Sequence, residues 1–134
     1  MIATGDKGAG ARGLILFAHG SREAVWADPF ERLAQLVRAA APRQQVRLAF
    51  LELMHPDLEE AVAELTERHV GEICVVPIFL GQGGHLRRDL TRIIEDLRAR
   101  HPGIRIDCAK PAGEEERVLG AIAEYCVTQL RRFD

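Results

Sequence analysis

Four short apolar runs alternate along the chain with longer stretches in which apolar residues recur every three or four positions. The runs span residues 14–18, 46–51, 73–79 and 104–109, and their length predicts β-strands. The run at 73–79 is apolar on both faces, which is typical of a central strand in a parallel sheet. The pattern therefore predicts four strands, of which the third is central to the sheet.

The stretches that follow the runs predict four helices. Apolar residues of the first, such as Phe30, Ala34 and Val37, share one helix face. Asp28 is expected to be its N-cap, with a proline at the first helical position, and Gly71 is expected to be the C-terminal cap residue of the second helix. We place the helices at residues 28–40, from Pro56-Asp57 to Gly71, at 86–100, and from Gly113 onward.

Regular alternation of strands and helices predicts the fold class. The β-α-β-α order demands a parallel sheet with right-handed crossovers, so we expect one α/β domain over residues 13–134, with helices flanking a four-stranded parallel sheet. Residues 1–12 are glycine-rich and unpatterned and are expected to form a flexible tail. Ligands of such sheets bind beyond the carboxyl ends of the strands.

Composition narrows the classes of function. A net charge of −2 gives no bulk field that favours nucleic acid or an anionic membrane. Sixteen of the eighteen basic residues are arginine, which suits carboxylate binding but also fits a GC-rich genome. Three cysteines without a CxxC pair favour a reducing compartment. With no apolar segment near the N-terminus, we expect no signal peptide and a cytoplasmic protein.

Polar residues follow the first three strands at equal intervals. His19, Glu52 and His85 are each 33 positions apart, so each strand-helix-loop unit returns the chain to the same edge of the sheet. Neighbouring parallel strands lie about 4.8 Å apart, so these side chains can converge on one ion. Two imidazoles and a carboxylate suit Co, Fe, Ni or Zn and leave positions open for exchange.

Each candidate also has a structural interpretation. A single histidine at a strand end is more often a hydrogen-bonded structural group, and a half-buried glutamate such as Glu52 is often only ion-paired. His69 and His101 fall at predicted helix C-termini, where a cation is favoured, and are interpreted as structural. His55 is a lesser candidate beside Glu52. The glycine loop at 81–86 fails as a dinucleotide fingerprint, and no phosphate-binding loop, GxSxG or HExxH motif is present.

Five segments together carry a family resemblance. They are HGSR at 19–22, DPFERLA at 28–34, AFLELMHPDL at 49–58, VVPIFLGQGGHLRRDL at 75–90 and PAGEEERV at 111–118. With these, the chain resembles the short, single-domain sirohydrochlorin chelatases of the CbiX/SirB type from about residue 14 to 123. The resemblance implies a flavodoxin-like fold and ATP-independent insertion of a divalent metal into the reduced tetrapyrrole sirohydrochlorin. It also implies a homodimer with active sites between the subunits.

The resemblance assigns roles to particular residues. The two histidines of the family match His19 and His85, which can ligate the ion and accept pyrrole protons, and its acidic position matches Glu52. Arginine side chains can hold the acetate and propionate groups of the macrocycle, and glycines allow its close approach. The substrate-binding candidates are Ser21, Arg22, Gly83, Gly84, Arg87 and Arg88.

The identity of the metal is left open by the ligands. Cobalt, for cobalamin synthesis, is favoured over iron, for sirohaem. Nickel is disfavoured because the chain lacks the histidine-rich segment of nickel-using relatives. Two other classes remain as alternatives: a metal-binding or delivery protein without catalysis, and a tetrapyrrole- or nucleotide-binding module whose glycine loop only cradles its ligand.

Overall fold

The computed structural model describes residues 11–134. Residues 1–10, which make up most of the predicted flexible tail, lie outside the described residues. Arg12, also assigned to that tail, is already part of the fold, because its amide donates to the side chain of Gln44 at 2.6 Å and its Nε to Glu72 at 2.8 Å. In the described part of the chain, no helix is both long and apolar enough to cross a membrane.

All four predicted strands and all four predicted helices form, with most boundaries within two residues of those expected. The strands are β1 (Gly13–Ala18), β2 (Gln45–Phe50), β3 (Glu72–Pro77) and β4 (Arg105–Cys108). The helices are α1 (Asp28–Ala40), α2 (Leu58–Glu67), α3 (Gly84–Arg100) and α4 (Glu116–Thr128). Short 3-10 helices lie at Ala24–Ala27, Ala112–Glu114 and Gln129–Phe133.

The described strands form one parallel sheet in the order β2-β1-β3-β4. This is the strand order of flavodoxin-like sheets, shortened by one strand. It confirms the predicted α/β class.

Helices on both faces make the fold three-layered. Leu65 of α2 and Ile94 of α3 pack with Phe17 and Val75 on one face of the sheet. On the other face, α1 packs against β1 and β2, around Leu16 and residues such as Ala34. Burial of these apolar side chains supplies the main stabilisation of the domain.

Two predicted helix caps are wrong, and the start of α2 is capped by a residue for which no cap was predicted. Asp28 is the first residue of α1 and Ala27 its N-cap, because the preceding 3-10 helix runs directly into α1. The N-cap of α2 is Asp57, whose side chain accepts from the amide of Glu60 in a capping box. Beyond the C-terminus of α2, His69 and not Gly71 takes the left-handed conformation, with φ of 64°.

The last helix stands apart from the domain. No residue of α4 is buried, and its principal contacts are with the 3-10 helices that precede and follow it. A 3-10 turn at Ala112–Glu114 precedes α4, which begins at Glu116, three residues later than the sequence predicted.

Candidate active site

The order of the strands places the candidate site at the carboxyl end of β1. From β1 the chain crosses to β2 on one side, and β3 then pairs with the other side of β1. Ligands of open α/β sheets bind beyond the carboxyl ends of the strands at such a change of direction. The segments after β1, β2 and β3, which hold the predicted site residues, all lie at this carboxyl edge of the sheet.

Backbone packing fixes His19 beside Glu52. The amide of Glu52 donates to the carbonyl of His19 at 3.1 Å, and the amide of Leu51 donates to Ala18 at 2.9 Å. Gly20, between His19 and the loop, has φ of 102°, and a Cβ atom there would overlap the carbonyl oxygen of Glu52. Only glycine allows the two strand ends to come this close.

The side chains of His19 and Glu52 face each other at the open edge. His19 Nε2 lies 3.5 Å from Glu52 Oε2, and the two side chains are 50% and 56% exposed. The imidazole meets the buried Phe79 ring edge-on at 6.3 Å between centroids. This separation is too long for a strong hydrogen bond. The nitrogen of His19 and the oxygens of Glu52 therefore remain free to contact a ligand that arrives from solvent.

His85 lies on the same edge but beyond the strand end, in the first turn of α3. Its ring is exposed, and Nδ1 lies 3.4 Å from Nη2 of Arg88. Across residues 11–134, the structure brings no three His, Cys, Asp or Glu side chains close enough to hold a metal ion together. The 33-residue spacing thus yields the His19–Glu52 pair, while the longer loop after β3 separates His85 from it.

The predicted substrate-binding residues occupy the same edge with different partners. Arg22 is exposed, and Ser21 Oγ accepts from the amide of Glu23 at 3.1 Å. Arg87 forms an ion pair with Glu114 at 2.9 Å, so its fork already holds a carboxylate. A Cβ atom at Gly83 would meet nothing within 4 Å, so the glycine loop leaves open surface rather than relieving strain.

Three apolar side chains at this edge were missed by the sequence analysis. Val25, Leu53 and Leu80 come from the segments after β1, β2 and β3, and they are 69%, 56% and 65% exposed. Leu53 has φ of 69°, a strained conformation for a leucine, which the loop retains. The signal in the sequence is an apolar residue in each polar loop.

Gln82 of the glycine loop was also missed as an individual residue. Its Oε1 atom is buried and has no hydrogen-bond partner within the described part of the chain. Buried acceptors ordinarily have a hydrogen-bond partner, which makes Gln82 a candidate for contact with a ligand or a water.

The remaining histidines have structural contacts. His55 Nδ1 bonds to Glu60 at 2.8 Å, which raises the pKa of His55, and Glu60 also closes the capping box of α2. His101 Nε2 bonds to Glu59 at 3.1 Å and ties the end of α3 to α2. These contacts agree with the structural interpretation of His101 and give His55 a role in helix capping.

Comparisons with known proteins agree with this geometry. A sirohydrochlorin cobaltochelatase of Sulfurisphaera tokodaii is 31% identical over 89% of this chain and 94% of its own length. The crystal structure of a putative cobalamin biosynthesis CbiX protein from Marinobacter aquaeolei VT8 is 36% identical, with a TM-score of 0.81 over 90% of this chain and 98% of that one.

A longer solved protein matches as well. The sirohydrochlorin chelatase SirB from Bacillus subtilis subspecies spizizenii, solved with cobalt, is 26% identical with a TM-score of 0.73, over 85% of this chain but 49% of its own. The family model CbiX matches residues 13–128, and the chain therefore belongs to the CbiX family.

Proposed function

We propose that this protein inserts a divalent metal into sirohydrochlorin without ATP, and that Co²⁺ is its preferred metal. The observation that carries the proposal is the half-exposed His19–Glu52 pair at the carboxyl ends of β1 and β2. His85 lies exposed on the same edge, and relatives that span this whole fold are sirohydrochlorin cobaltochelatases.

The roles of the residues follow from their chemistry. His19 and His85 ligate the incoming ion through neutral imidazole nitrogen, and Glu52 offsets its charge. The same groups accept the two pyrrole protons that the macrocycle must lose. The metal is bound weakly and with open positions in this arrangement, which favours its transfer to the ring.

The macrocycle has an apolar ring and a rim of carboxylates, and the edge offers surfaces for both. Val25, Leu53 and Leu80 provide exposed apolar contact for the ring. Arg22 and Arg88 provide forks for the rim carboxylates. Arg87 joins them only if a substrate carboxylate displaces Glu114 from its guanidinium.

Iron is the second candidate metal. SirB of Bacillus subtilis, 25% identical to this chain, has been solved with Fe³⁺ as well as cobalt. Cobalt is placed first because the relatives that match this chain over most of their own length are sirohydrochlorin cobaltochelatases. Nickel insertion ranks third.

The proposed assembly is a homodimer with the site between two copies. This chain corresponds to 49% of the SirB chain, so two copies supply the length that SirB has in one. The open edge with its exposed apolar residues suits a cleft that a second copy closes. A cytoplasmic location is also part of the proposal, and it fits the three cysteines, which are all free thiols.

Anaerobic incubation with sirohydrochlorin and Co²⁺, Fe²⁺ or Ni²⁺, followed by absorbance, tests the function. We expect insertion to be fastest with Co²⁺ and to be lost in His85→Ala. His101→Ala is the matched control, because His101 bonds Glu59 at the far end of the same helix, and it should retain the insertion rate.

The competing candidate is a metal-binding protein without catalysis, which the open His19–Glu52 pair would also serve. Such a protein would bind Co²⁺ and leave the absorbance of sirohydrochlorin at the uncatalysed rate. Wild-type insertion by His85→Ala would contradict the proposed site.

A further inference from the structure

Of the three arginines predicted to hold substrate carboxylates, Arg87 already holds a carboxylate of its own chain. Its Nη2 atom donates to Oε2 of Glu114 at 2.9 Å. Arg22 and Arg88 form no ion pair with a carboxylate of the described residues, and Arg88 lies instead 3.4 Å from Nδ1 of His85. A substrate carboxylate that reaches Arg87 therefore meets a resident competitor.

The backbone fixes Glu114 beside Arg87. The amide of the preceding residue, Gly113, donates to the carbonyl of Phe79 at 2.8 Å. A Cβ atom at Gly113 would overlap the carbonyl oxygen of Leu80, so this turn lies directly against the segment that follows β3. A carboxylate held in this way stays close to the guanidinium and competes at a high effective concentration with carboxylates from solution.

The ion pair itself opens easily, because both of its side chains reach solvent. Arg87 is 58% exposed and Glu114 is 43% exposed. Exposed ion pairs contribute little to stability, so a carboxylate that offers the guanidinium an equivalent charge-assisted hydrogen bond can replace Glu114 at small cost. Since the turn at Glu114 is fixed by its backbone, the long side chain of Arg87 is the part that moves.

A cavity of about 250 Å³ adjoins Arg87 between α3 and the segment that leaves β4. Arg87 and Thr91 line it from α3, and Cys108 and Pro111 line it from the opposite side. Binding pockets for whole drug-sized ligands have volumes of roughly 300–1,000 Å³. This cavity therefore suits one side chain of a ligand and not an entire ring.

Gln82 supplies the cavity with a polar group that the described part of the chain leaves unused. The residue lines the cavity, and its buried Oε1 atom has no hydrogen-bond partner within the described residues. Half a turn of the amide exchanges this acceptor for the two hydrogens of Nε2. The cavity thus combines a guanidinium with an amide, and both can donate to a carboxylate.

The strand order gives the cavity a suitable distance from the metal-binding pair. His19 follows β1, whereas the cavity lies beside β4, and β3 separates these two strands. At about 4.8 Å per strand, β1 and β4 are roughly 10 Å apart. A tetrapyrrole whose central nitrogens face His19 carries its rim carboxylates outward over a comparable distance.

From this geometry we propose that the cavity is a subsite for one carboxylate side chain of the tetrapyrrole, and that Glu114 occupies Arg87 until this carboxylate replaces it. Gln82 donates to the second oxygen of the bound carboxylate. Because one carboxylate replaces another at Arg87, Glu114 weakens substrate binding and recovers its partner when the product leaves. The inference rests on the proposed function and adds to it a subsite and a resident competitor.

Calorimetric titration of the metal-free full chain with sirohydrochlorin, under anaerobic conditions, tests the exchange. Glu114→Gln should lower the Kd about 2–5-fold, because it removes a competitor with the strength of an exposed ion pair. Glu116→Gln is the matched control, since it makes the same change of charge two residues further on and should keep the wild-type Kd. Equal Kd values of Glu114→Gln and the wild type would overturn the exchange.

A double-mutant cycle separates exchange at Arg87 from a general effect of charge. Arg87→Ala should raise the Kd roughly tenfold, and Glu114→Gln should then have no further effect. Arg92→Ala is the control for the loss of an exposed arginine of α3, because Arg92 pairs with Asp89 at 2.9 Å away from the cavity. An equal gain from Glu114→Gln with and without Arg87 would overturn the exchange. Weaker binding by Glu114→Gln would overturn it too, because Glu114 would then position Arg87 for the substrate.

Gln82→Leu tests the cavity itself. The variant should raise the Kd for sirohydrochlorin several-fold while its Tm stays at or above that of the wild type, because the lost Oε1 atom has no partner within the described residues. Wild-type affinity of Gln82→Leu would remove the cavity from the site. Failure of the wild-type protein to bind sirohydrochlorin would contradict the proposed function, whereas binding that is insensitive to Arg87, Glu114 and Gln82 overturns this inference alone.

Discussion

The His55–Glu60 and His19–Glu52 pairs both include a residue of the loop that follows β2, but their surroundings give them different roles. The His55–Glu60 pair is short, at 2.8 Å, and Glu60 also accepts the amide of Asp57, so this carboxylate is engaged in capping α2. The His19–Glu52 pair is longer, at 3.5 Å, and lies half-exposed at the carboxyl edge of the sheet. Glu52 thus has fewer hydrogen-bond partners than Glu60 and is the carboxylate that can contact an ion.

At the scale of these residues, we predict that Glu52→Gln weakens Co²⁺ binding by roughly 10–100-fold, the range typical of lost partners around a metal. The neutral amide no longer offsets the charge of the ion next to His19. Isothermal titration calorimetry measures the affinity. Glu60→Gln is the control, because glutamine preserves the capping geometry, and its Co²⁺ affinity should equal that of the wild type. Equal affinities of Glu52→Gln and wild type would remove Glu52 from the site.

The sequence predicted part of this site because strand ends follow a regular spacing. His19 and Glu52 lie within two residues of the ends of neighbouring strands, and the structure brings them together as the equal spacing predicted. His85 follows a longer loop, whose path periodicity does not reveal. The pairing of Arg87 with Glu114 joins residues 27 positions apart and depends on the turn at Ala112–Glu114, which the sequence analysis assigned to a helix.

Among the elements, α2 is attached to the sheet by a charged contact as well as by apolar packing. Arg47 of β2 holds Glu64 through two bonds, of 2.8 and 3.0 Å, and Arg68 adds a third at 3.0 Å. The Arg47 guanidinium, with a smaller contribution from Arg68, lowers the pKa of Glu64 from its ordinary 4.5 to about 2. Since the Glu64 side chain is 42% exposed, solvent screens much of this interaction.

This lowered pKa predicts a pH-dependent contribution of Glu64 to the stability of the fold. A carboxyl group whose folded pKa lies below its unfolded value stabilises above about pH 4.5 and loses that contribution as the pH falls toward 2. Glu64→Gln should therefore lower the free energy of unfolding by less than about 1 kcal/mol at pH 7. In urea titrations its difference from the wild type should shrink between pH 5 and 3. Glu67→Gln, on the same helix, is the control, and a pH-independent deficit in Glu64→Gln would contradict the assignment.

The helices show where sequence patterns are sufficient and where they are not. The ends of α1 were predicted to within one residue because Asp28-Pro29 and Pro42 act locally, although Ala27 and not Asp28 is its N-cap. The end of α2 was misjudged because glycine is the usual left-handed residue, whereas here His69 takes that conformation with its amide bonded to Thr66 at 2.9 Å. The position of α4 could not be predicted, since an amphipathic pattern shows that a helix has an apolar face but not which surface that face contacts.

For the whole molecule, the parallel sheet has two faces covered by helices and a carboxyl edge that carries the candidate site. The faces are covered by α1, α2 and α3, which bury the core. The carboxyl edge keeps His19, Glu52 and His85 exposed together with apolar side chains from three loops. An edge with this composition is suited to a large ring ligand and to closure by another protein surface.

If two copies complete the site, insertion activity must depend on protein concentration. Dilution below the dimer Kd converts dimers into monomers whose edge is open to water, so the rate per chain should fall with a midpoint at that Kd. Initial rates of Co²⁺ insertion over a dilution series, compared with a Kd from sedimentation, provide the measurement. A carrier protein at constant concentration controls for loss of enzyme to surfaces. A rate per chain that stays constant far below the Kd would show that one chain holds a complete site, since the monomer would then perform the reaction unaided.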